Sequence, residues 1–267
     1  MAINVNHLLI FGISPYIFFV GIGLAITYPI FLLLCYIMEL NVLKNTFALG
    51  LSGIGLILGA KALGIISNWF NYIRMGESIG INNFLEGGIV FYGGLLGFIT
   101  VFILILKLQK RSIRENLNII AVCIPFFHAF ARIGCFYAGC CYGVEAHTFI
   151  SIYYATTSLE YAYRVPIQLI EASFNFVLFL ILIVFSIKKI LKQYLLSLLS
   201  LYLLLYSIGR FFLEFMRGDD ARGYIGVLSV SQFISIIIFS IAIVHTVKIN
   251  INAWWNARRK LNYESVR

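Results

Sequence analysis

Repeated apolar runs of about twenty residues, each long enough to cross a hydrocarbon core roughly 30 Å thick, constrain this chain more than any other feature. They fall near residues 15–38, 47–69, 89–106, 117–136, 166–187, 194–216 and 225–247. The runs are continuously apolar rather than alternating with period two, so they read as helices and not as the strands of a membrane barrel. With 61% hydrophobic and 12% charged residues among 267, against roughly 45–50% and about 25% in soluble domains, a water-soluble fold is excluded. The expected fold is an all-α integral membrane protein with seven transmembrane helices, forming a single polytopic membrane domain over residues 1–267. No Lys or Arg precedes the first run within the first ten residues, and that run continues past the 7–15 residues of a signal-peptide core. The first span is therefore expected to stay.

The distribution of Lys and Arg sets the expected orientation, because cytoplasmic loops hold the excess. With the amino terminus outside, the inner segments carry Lys44, Lys107, Lys110, Arg111, Arg114, Lys188, Lys189, Lys192, Lys248, Arg258, Arg259, Lys260 and Arg267. The outer segments carry Arg74, Arg164, Arg217 and Arg222, and only Lys61, Arg132 and Arg210 fall within spans. The net charge of +9 is thus accounted for by topology and anionic inner-leaflet lipid, and no basic soluble domain is left for nucleic-acid binding. Two sizeable outer-face loops are expected, 71–88 and 139–164, the second rich in tyrosines suited to the water–lipid interface. Between them lies a Gly-rich segment where the chain enters the membrane.

A charge inside a span costs at least roughly 2.5–3.5 kcal/mol on the insertion scale, so Lys61, Arg132, Arg210 and Glu214 each mark a candidate site. In the expected orientation Arg132, Arg210 and Glu214 lie in the outer halves of their spans, and Tyr92 and Glu171 open incoming spans at the same level. Arg210 and Glu214 are four residues apart, on one helix face that Arg217 extends. A neutralising ion pair or snorkelling arginines would explain this stripe. So would a bound phosphate, since guanidinium forks take phosphate oxygens bidentately and two arginines at one depth have a limited supply of acidic partners.

Two further motifs stand out. Gly87-Gly88-Ile89-Val90-Phe91-Tyr92-Gly93-Gly94-Leu95-Leu96-Gly97 sets five glycines around one tyrosine. It reads either as a tightly packed helix start or as an irregular segment with amides and the Tyr92 hydroxyl facing a cavity. The stretch from His128 to Gly143 holds Arg132 and three of the five cysteines, Cys135, Cys140 and Cys141. With His128 or His147 these could in principle bind zinc, but adjacent cysteines rarely share one ion comfortably, so no metal is expected. A disulfide from Cys135 is chemically open, as are inert buried thiols; Cys35 and Cys123 read as packing residues.

Taken in order, these segments resemble the prolipoprotein diacylglyceryl transferase family of bacterial inner-membrane enzymes. Gly59-Ala60-Lys61 is similar to the family's Gly-Ala/Gly-Arg stretch, Gly87–Gly97 to its Gly-Gly-x-x-Phe-His-Gly-Gly-Leu-x-Gly, and Arg132–Gly143 to its Arg-x-Gly-Asn-Phe-x-Asn-x-Glu-x-x-Gly signature. Pro166–Ala172 resembles His-Pro-x-Gln-Leu-Tyr-Glu-Ala, and Gly209–Arg217 resembles Arg-Phe-x-x-Glu-x-x-Arg. The resemblance implies transfer of the diacylglyceryl group of phosphatidylglycerol, at the outer face of the bacterial cytoplasmic membrane, onto the lipobox cysteine thiol of an exported prolipoprotein. It implies catalytic roles for Arg132, Arg210, Tyr92 and Glu214, with the arginines holding the phosphodiester and Glu214 orienting Arg210. It implies substrate contacts at Lys61, Gly93, Gly94, Cys135, Cys140, Gly143, Gln168, Glu171 and Arg217. No cofactor is expected, and a monomer is.

The chain departs from the family pattern on what would be the acceptor side. Tyr92 stands in place of a His that assists proton removal, Cys135 in place of Asn, Cys140 in place of Glu, and Val165 in place of His. An unperturbed tyrosine pKa of about 10 makes a poor base at neutral pH. A relative that transfers a phospholipid-derived group to another acceptor, a surface glycan or lipid, is therefore an alternative expectation. A non-catalytic membrane protein that binds lipid or an exported partner is another, and a transporter lined by its intramembrane cations is a third.

Overall fold

The computed structural model describes residues 12–75, 91–158, 160–188, 197–219 and 223–264. Among these, seven α-helices make up most of the chain: α1 (Pro15–Ile37), α2 (Val42–Met75), α3 (Phe91–Leu108), α4 (Ile113–Tyr137), α5 (Ile167–Ile187), α6 (Leu198–Leu213) and α7 (Val230–Glu264). Five of them, and α6 taken together with the turn that continues it to Met216, give stretches of 19–25 residues long and apolar enough to cross a membrane. The exception is α3, whose apolar part, Gly93–Leu108, is shorter. Large apolar side chains such as Ile17, Leu24, Ile57, Leu58, Ile241 and Val244 face outward from α1, α2 and α7, as suits helices whose solvent is hydrocarbon. Helix α4 is the opposite case, with Ile119, Ala121, Val122, Cys123, Phe126 and Ala129 all buried.

Side-chain caps explain several helix starts. Asn41 Oδ1 accepts the Lys44 amide at 2.9 Å before α2, and Ser112 Oγ accepts the Glu115 amide at 3.3 Å at the start of α4. Ser197 Oγ accepts the Ser200 amide at 3.1 Å at the start of α6. At α7 the cap is reciprocal: Ser229 Oγ accepts the Gln232 amide at 3.1 Å and Gln232 Oε1 accepts the Ser229 amide at 3.0 Å. Each satisfies amides that have no partner inside the helix.

The chain gathers into two compact units, one of Met1–Phe31 with Leu117–Arg267, the other of Leu32–Asn116. In the second unit α2 packs along α3 through a seam of facing glycines. Gly55 and Gly59 on α2, and Gly93 and Gly97 on α3, are each four apart, the small-xxx-small pattern that lets helix backbones approach closely in lipid. A Cβ added at Gly97 would collide with the Gly55 carbonyl, and one at Gly59 with the Gly93 carbonyl. Gly93 and Gly94 thus sit in a regular, tightly packed helix start. Residues 87–90, the upstream part of the Gly-rich segment, lie outside the described residues, as does the side chain of Tyr92.

In the first unit α5 packs on α6 and α6 on α7. Gly209 of α6 meets the Phe174 ring of α5, and Gly23 of α1 meets Phe130 of α4. The described residues of the stretch expected as an outer loop over 139–164 form a hairpin. After α4 the chain turns through Gly139 (φ +67°) and forms the hairpin β1 (Ile152–Ala155) and β2 (Tyr161–Arg164), with Ile152 opposite Arg164 and Ala155 opposite Tyr161. Tyr154 of β1 is buried against Phe136, so one of the loop's tyrosines is a core residue rather than an interfacial anchor. A short 3-10 turn, Glu214–Met216, follows α6, and a two-residue hairpin of β3 (Tyr224–Ile225) and β4 (Leu228–Ser229) leads into α7. The helix α2 runs on to Met75, beyond the span expected to end at 69.

Because no side chain fits the seam, Gly97→Val is expected to destabilise the protein by about 1–3 kcal/mol, as overpacking does. Gly53→Ala, whose Cβ would meet nothing within 4 Å, should stay within about 0.5 kcal/mol of the parent. Thermal unfolding of the detergent-solubilised protein compares the two.

Candidate functional site

The first unit brings its intramembrane charges together at one end of α4, α5, α6 and α7. Arg132 lies in the last turns of α4, Glu171 in the second turn of α5, Arg210 in the last turn of α6, and Glu214 in the 3-10 turn that continues it. Glu171 is the hub. Its Oε2 forms an ion pair with Arg132 Nε at 2.5 Å, and its Oε1 accepts from Arg210 NH1 at 2.8 Å. Arg210 NH2 then forms an ion pair with Glu214 Oε2 at 2.6 Å and donates to Ser231 Oγ, in the first turn of α7, at 3.1 Å. Glu171 and Glu214 are 2% and 1% exposed. Carboxylates so deeply placed are tolerated only when charged donors offset their lost hydration.

The two arginines are held differently. Arg210 has both terminal nitrogens committed to carboxylates or the serine. Arg132 is held through Nε alone, which also points at His128 Nε2 at 3.2 Å, one turn earlier on α4. As acceptor, that ring nitrogen carries no proton. Among the described residues, the two terminal nitrogens of Arg132 make no hydrogen bond or ion pair. They form the planar donor pair that suits a phosphate or carboxylate.

Arg217 continues the network. Its Nε and NH2 bind Asp219 Oδ1 at 2.8 Å and Oδ2 at 2.6 Å, and NH1 lies 3.7 Å from Glu214 Oε2. Arg132, Arg210 and Arg217 are thereby matched one for one by Glu171, Glu214 and Asp219. Of the explanations the sequence left open, neutralising ion pairs are present: Glu171 on a third helix and Asp219 between α6 and α7 add to the Glu214 that the spacing already paired with Arg210.

Backbone pairing fixes the loop after α4 against this cluster. Gly143 bridges Arg217, the Val144 amide donates to the Met216 carbonyl at 3.0 Å, and the Gly218 amide donates to the Tyr142 carbonyl at 3.0 Å. A Cβ at Gly143 would strike the Val165 carbonyl, so this position admits only glycine without a shift of the loop. Arg164 lies over the Tyr142 ring, 4.7 Å from its centroid, and pairs with Glu145 at 2.6 Å. Gln168 Nε2 donates to the Cys140 carbonyl at 2.9 Å, and the Tyr154 hydroxyl donates to Gln168 Oε1 at 3.4 Å. Burial pushes the Tyr154 hydroxyl above its ordinary pKa.

The Sγ atoms of Cys135, in the last turn of α4, and of Cys140 and Cys141 on this loop lie within 4.8 Å of one another, all as free thiols. Hydrogen bonds from Cys135 and Cys140 draw Cys141 well below the ordinary thiol range, with Arg132 and Arg217 adding to the effect. Cys140 is pushed up to about 11: its bond with Cys135 lowers it, and its bond with Cys141 and burial outweigh that.

Of the residues singled out from the sequence, Arg132, Arg210, Glu214, Glu171 and Arg217 form one network, with Cys140 and Gly143 in the loop bound to it and Cys135 of α4 and Gln168 of α5 beside that loop. Gln168 and Gly143 hold that loop. Lys61, Gly93 and Gly94 belong to the second unit, where the two glycines serve helix packing. The Tyr92 side chain is outside the described residues. Sequence reasoning missed Asp219, Ser231 and the acceptor role of His128. Only a two-residue spacing from Arg217 hinted at the first, and nothing local at Ser231.

The sequence model of a family described as prolipoprotein diacylglyceryl transferase matches residues 5–248 of the chain. The chain is 36% identical over 233 residues to phosphatidylglycerol–prolipoprotein diacylglyceryl transferase 2 of Clostridium perfringens, covering 86% of this chain and 89% of that one. It is 34% identical over 192 residues to the phosphatidylglycerol–prolipoprotein diacylglyceryl transferase of Clostridium tetani, covering 71% and 74%. To the enzyme of that name from Campylobacter curvus it is 34% identical over 202 residues, 70% of each chain.

Glu171→Gln leaves two buried arginines without their shared counter-charge and is expected to cost about 3–5 kcal/mol. Glu145→Gln, whose side chain is 65% exposed, should cost less than about 1 kcal/mol. Thermal unfolding in detergent reads both.

Proposed function

The chain belongs to the prolipoprotein diacylglyceryl transferase family, and we propose that it moves the diacylglyceryl group of phosphatidylglycerol onto the lipobox cysteine thiol of an exported prolipoprotein. The protein works as a monomer in the bacterial cytoplasmic membrane. It has seven spans, its amino terminus outside, and its site toward the outer face, the orientation favoured by the placement of Lys and Arg. The observation that carries the reading is the asymmetry between the two arginines. Arg210 is fully engaged with Glu171, Glu214 and Ser231, whereas Arg132 keeps two donors in reserve beside it.

In this reading Arg132 takes two non-bridging oxygens of the lipid's phosphodiester through its terminal nitrogens. Arg210, Glu214 and Glu171 form the frame that fixes its plane. The acceptor's thiolate attacks the glyceryl carbon that bears the phosphate oxygen. An S–C bond forms, the C–O bond breaks, and its electron pair leaves on glycerol phosphate. Negative charge grows on that phosphate as the bond breaks, and a guanidinium fixed in advance lowers the barrier because no reorganisation is needed at that moment. Orientation of thiol and carbon supplies the rest, so no protein nucleophile takes part. Among the contacts expected from the sequence in this unit, Cys135 and Cys140 flank the acceptor, while Gly143, Gln168, Glu171 and Arg217 act by positioning.

The test is transfer from phosphatidylglycerol in proteoliposomes to a lipobox peptide, followed by mass spectrometry. The parent protein should add diacylglycerol to the cysteine, and Arg132→Ala should lower the rate by about 10²–10³-fold, the effect of removing one charge-stabilising donor. Arg132→Lys should remain impaired, because a point charge does not replace a planar fork. Failure of the parent to modify any lipobox peptide would overturn the reading. Modification of a glycan or another lipid in its place would move the activity to a different acceptor.

A further inference from the structure

Outside the arginine network, the structure holds one dense cluster of metal-ligating side chains among the described residues, the thiols of Cys135, Cys140 and Cys141. Adjacent cysteines normally diverge, which is why the sequence argues against a metal. The backbone removes that objection: Cys141 adopts φ +55°, a left-handed conformation that costs an L-residue roughly 1–2 kcal/mol. With that turn, its Sγ converges with those of Cys140 and of Cys135 in the last turn of α4. The loop is held from several directions, by the Cys140 amide on the Cys135 carbonyl at 3.2 Å, the Thr157 amide on the Gly139 carbonyl at 3.1 Å, and Gln168 on the Cys140 carbonyl at 2.9 Å. The arrangement is therefore preorganised.

We propose that Cys135, Cys140 and Cys141 bind a zinc ion through three thiolates, leaving the fourth tetrahedral position for the thiol of the acceptor. The acceptor role rests on the transfer reading above; the metal site itself does not. A zinc–sulfur distance of about 2.3 Å puts the sulfurs of a tetrahedral site roughly 3.8 Å apart, and small side-chain rotations reach this from the observed upper bound of 4.8 Å. Zinc on three thiolates carries one negative charge, and Arg132 and Arg217 both act electrostatically on this loop, so the site has cations to balance it. Cys140 and Cys141 are only half-buried, leaving the cluster reachable. Three protein ligands with an open fourth position is the pattern of a zinc site that does chemistry.

The chemistry matches a need of the proposed reaction. A free thiol with a pKa of about 8.5 is mostly protonated at neutral pH, and a coordinating thiol is deprotonated outright. The acceptor's S–H gives its proton to bulk water as sulfur binds zinc. That sulfur's lone pair forms the bond to the glyceryl carbon while the C–O bond electrons leave with the phosphate. The product thioether is a weak ligand and departs. Zinc stays divalent throughout, and no oxidant or reductant is consumed.

The full-length protein, purified under reducing conditions with added Zn2+, should contain about one zinc per chain by elemental mass spectrometry, and Cys135→Ala/Cys140→Ala/Cys141→Ala should contain none. Should that variant fail to fold, the parent chain decides alone. Stripped by a chelator and reloaded with Co2+, it should show thiolate-to-cobalt charge-transfer absorption and a tetrahedral d–d spectrum. The latter should change on adding a lipobox peptide but not its Cys→Ser form. Chelation should slow diacylglyceryl transfer by about 100-fold, with recovery on adding Zn2+. Absence of metal, copper in place of zinc, or a disulfide among the three cysteines in the native protein overturns the proposal. Undiminished transfer by demonstrably metal-free protein overturns the acceptor role and leaves the transferase reading standing. Zinc and the cobalt signature without any transfer support the metal site and remove the transferase reading.

Discussion

One buried carboxylate organises the first unit. Glu171 receives a guanidinium from each side, Arg132 at 2.5 Å and Arg210 at 2.8 Å, and so sets where the ends of α4, α5 and α6 lie. Ser231 extends the tie to α7 through Arg210. In a hydrocarbon environment a partnerless arginine or glutamate at these positions would cost several kcal/mol. The helix ends are therefore held in a single register, in which every carboxylate faces a guanidinium.

That register also makes the two arginines unequal. Arg210 spends its donors on the frame, and its place in the network is that of a support. Arg132 touches the frame through one nitrogen and keeps its paired donors unassigned among the described residues. An anion at Arg132 therefore need not dismantle the network. The thiol-bearing loop is pinned to the same frame through Gly143, Tyr142 and Gln168, which sets its thiols within the electrostatic reach of Arg132 and Arg217.

Much of the candidate site was legible in the sequence, because charge inside an apolar run is conspicuous. Arg132, Arg210 and Glu214 stand out by cost alone, and the i, i+4 spacing already pairs the last two. The partnership of Glu171 with Arg210 was not legible, since 39 residues separate them and periodicity speaks only of neighbours on one helix. Asp219 lay beyond the last turn, where no pattern operates. The cysteines were visible, but their convergence depends on the backbone at Cys141, and no rule of residue type assigns a left-handed conformation to a cysteine. The glycines around Tyr92 were equally ambiguous until Gly55 and Gly59 were seen opposite Gly93 and Gly97.

The sequence by itself determined the class of solvent and the class of backbone. Runs of apolar residues spanning a bilayer's thickness leave helices as the structure that satisfies their amides, and six helices of that length are present. It also determined family membership through motifs that are local in the chain. Tertiary structure alone decided which charges meet, that the loop after α4 is a pinned hairpin rather than a plain connection, and that three thiols face one another. These are contacts between segments distant in sequence, fixed by the requirement that buried charges be paired and buried amides be bonded, and a linear pattern carries no record of which partner satisfies which.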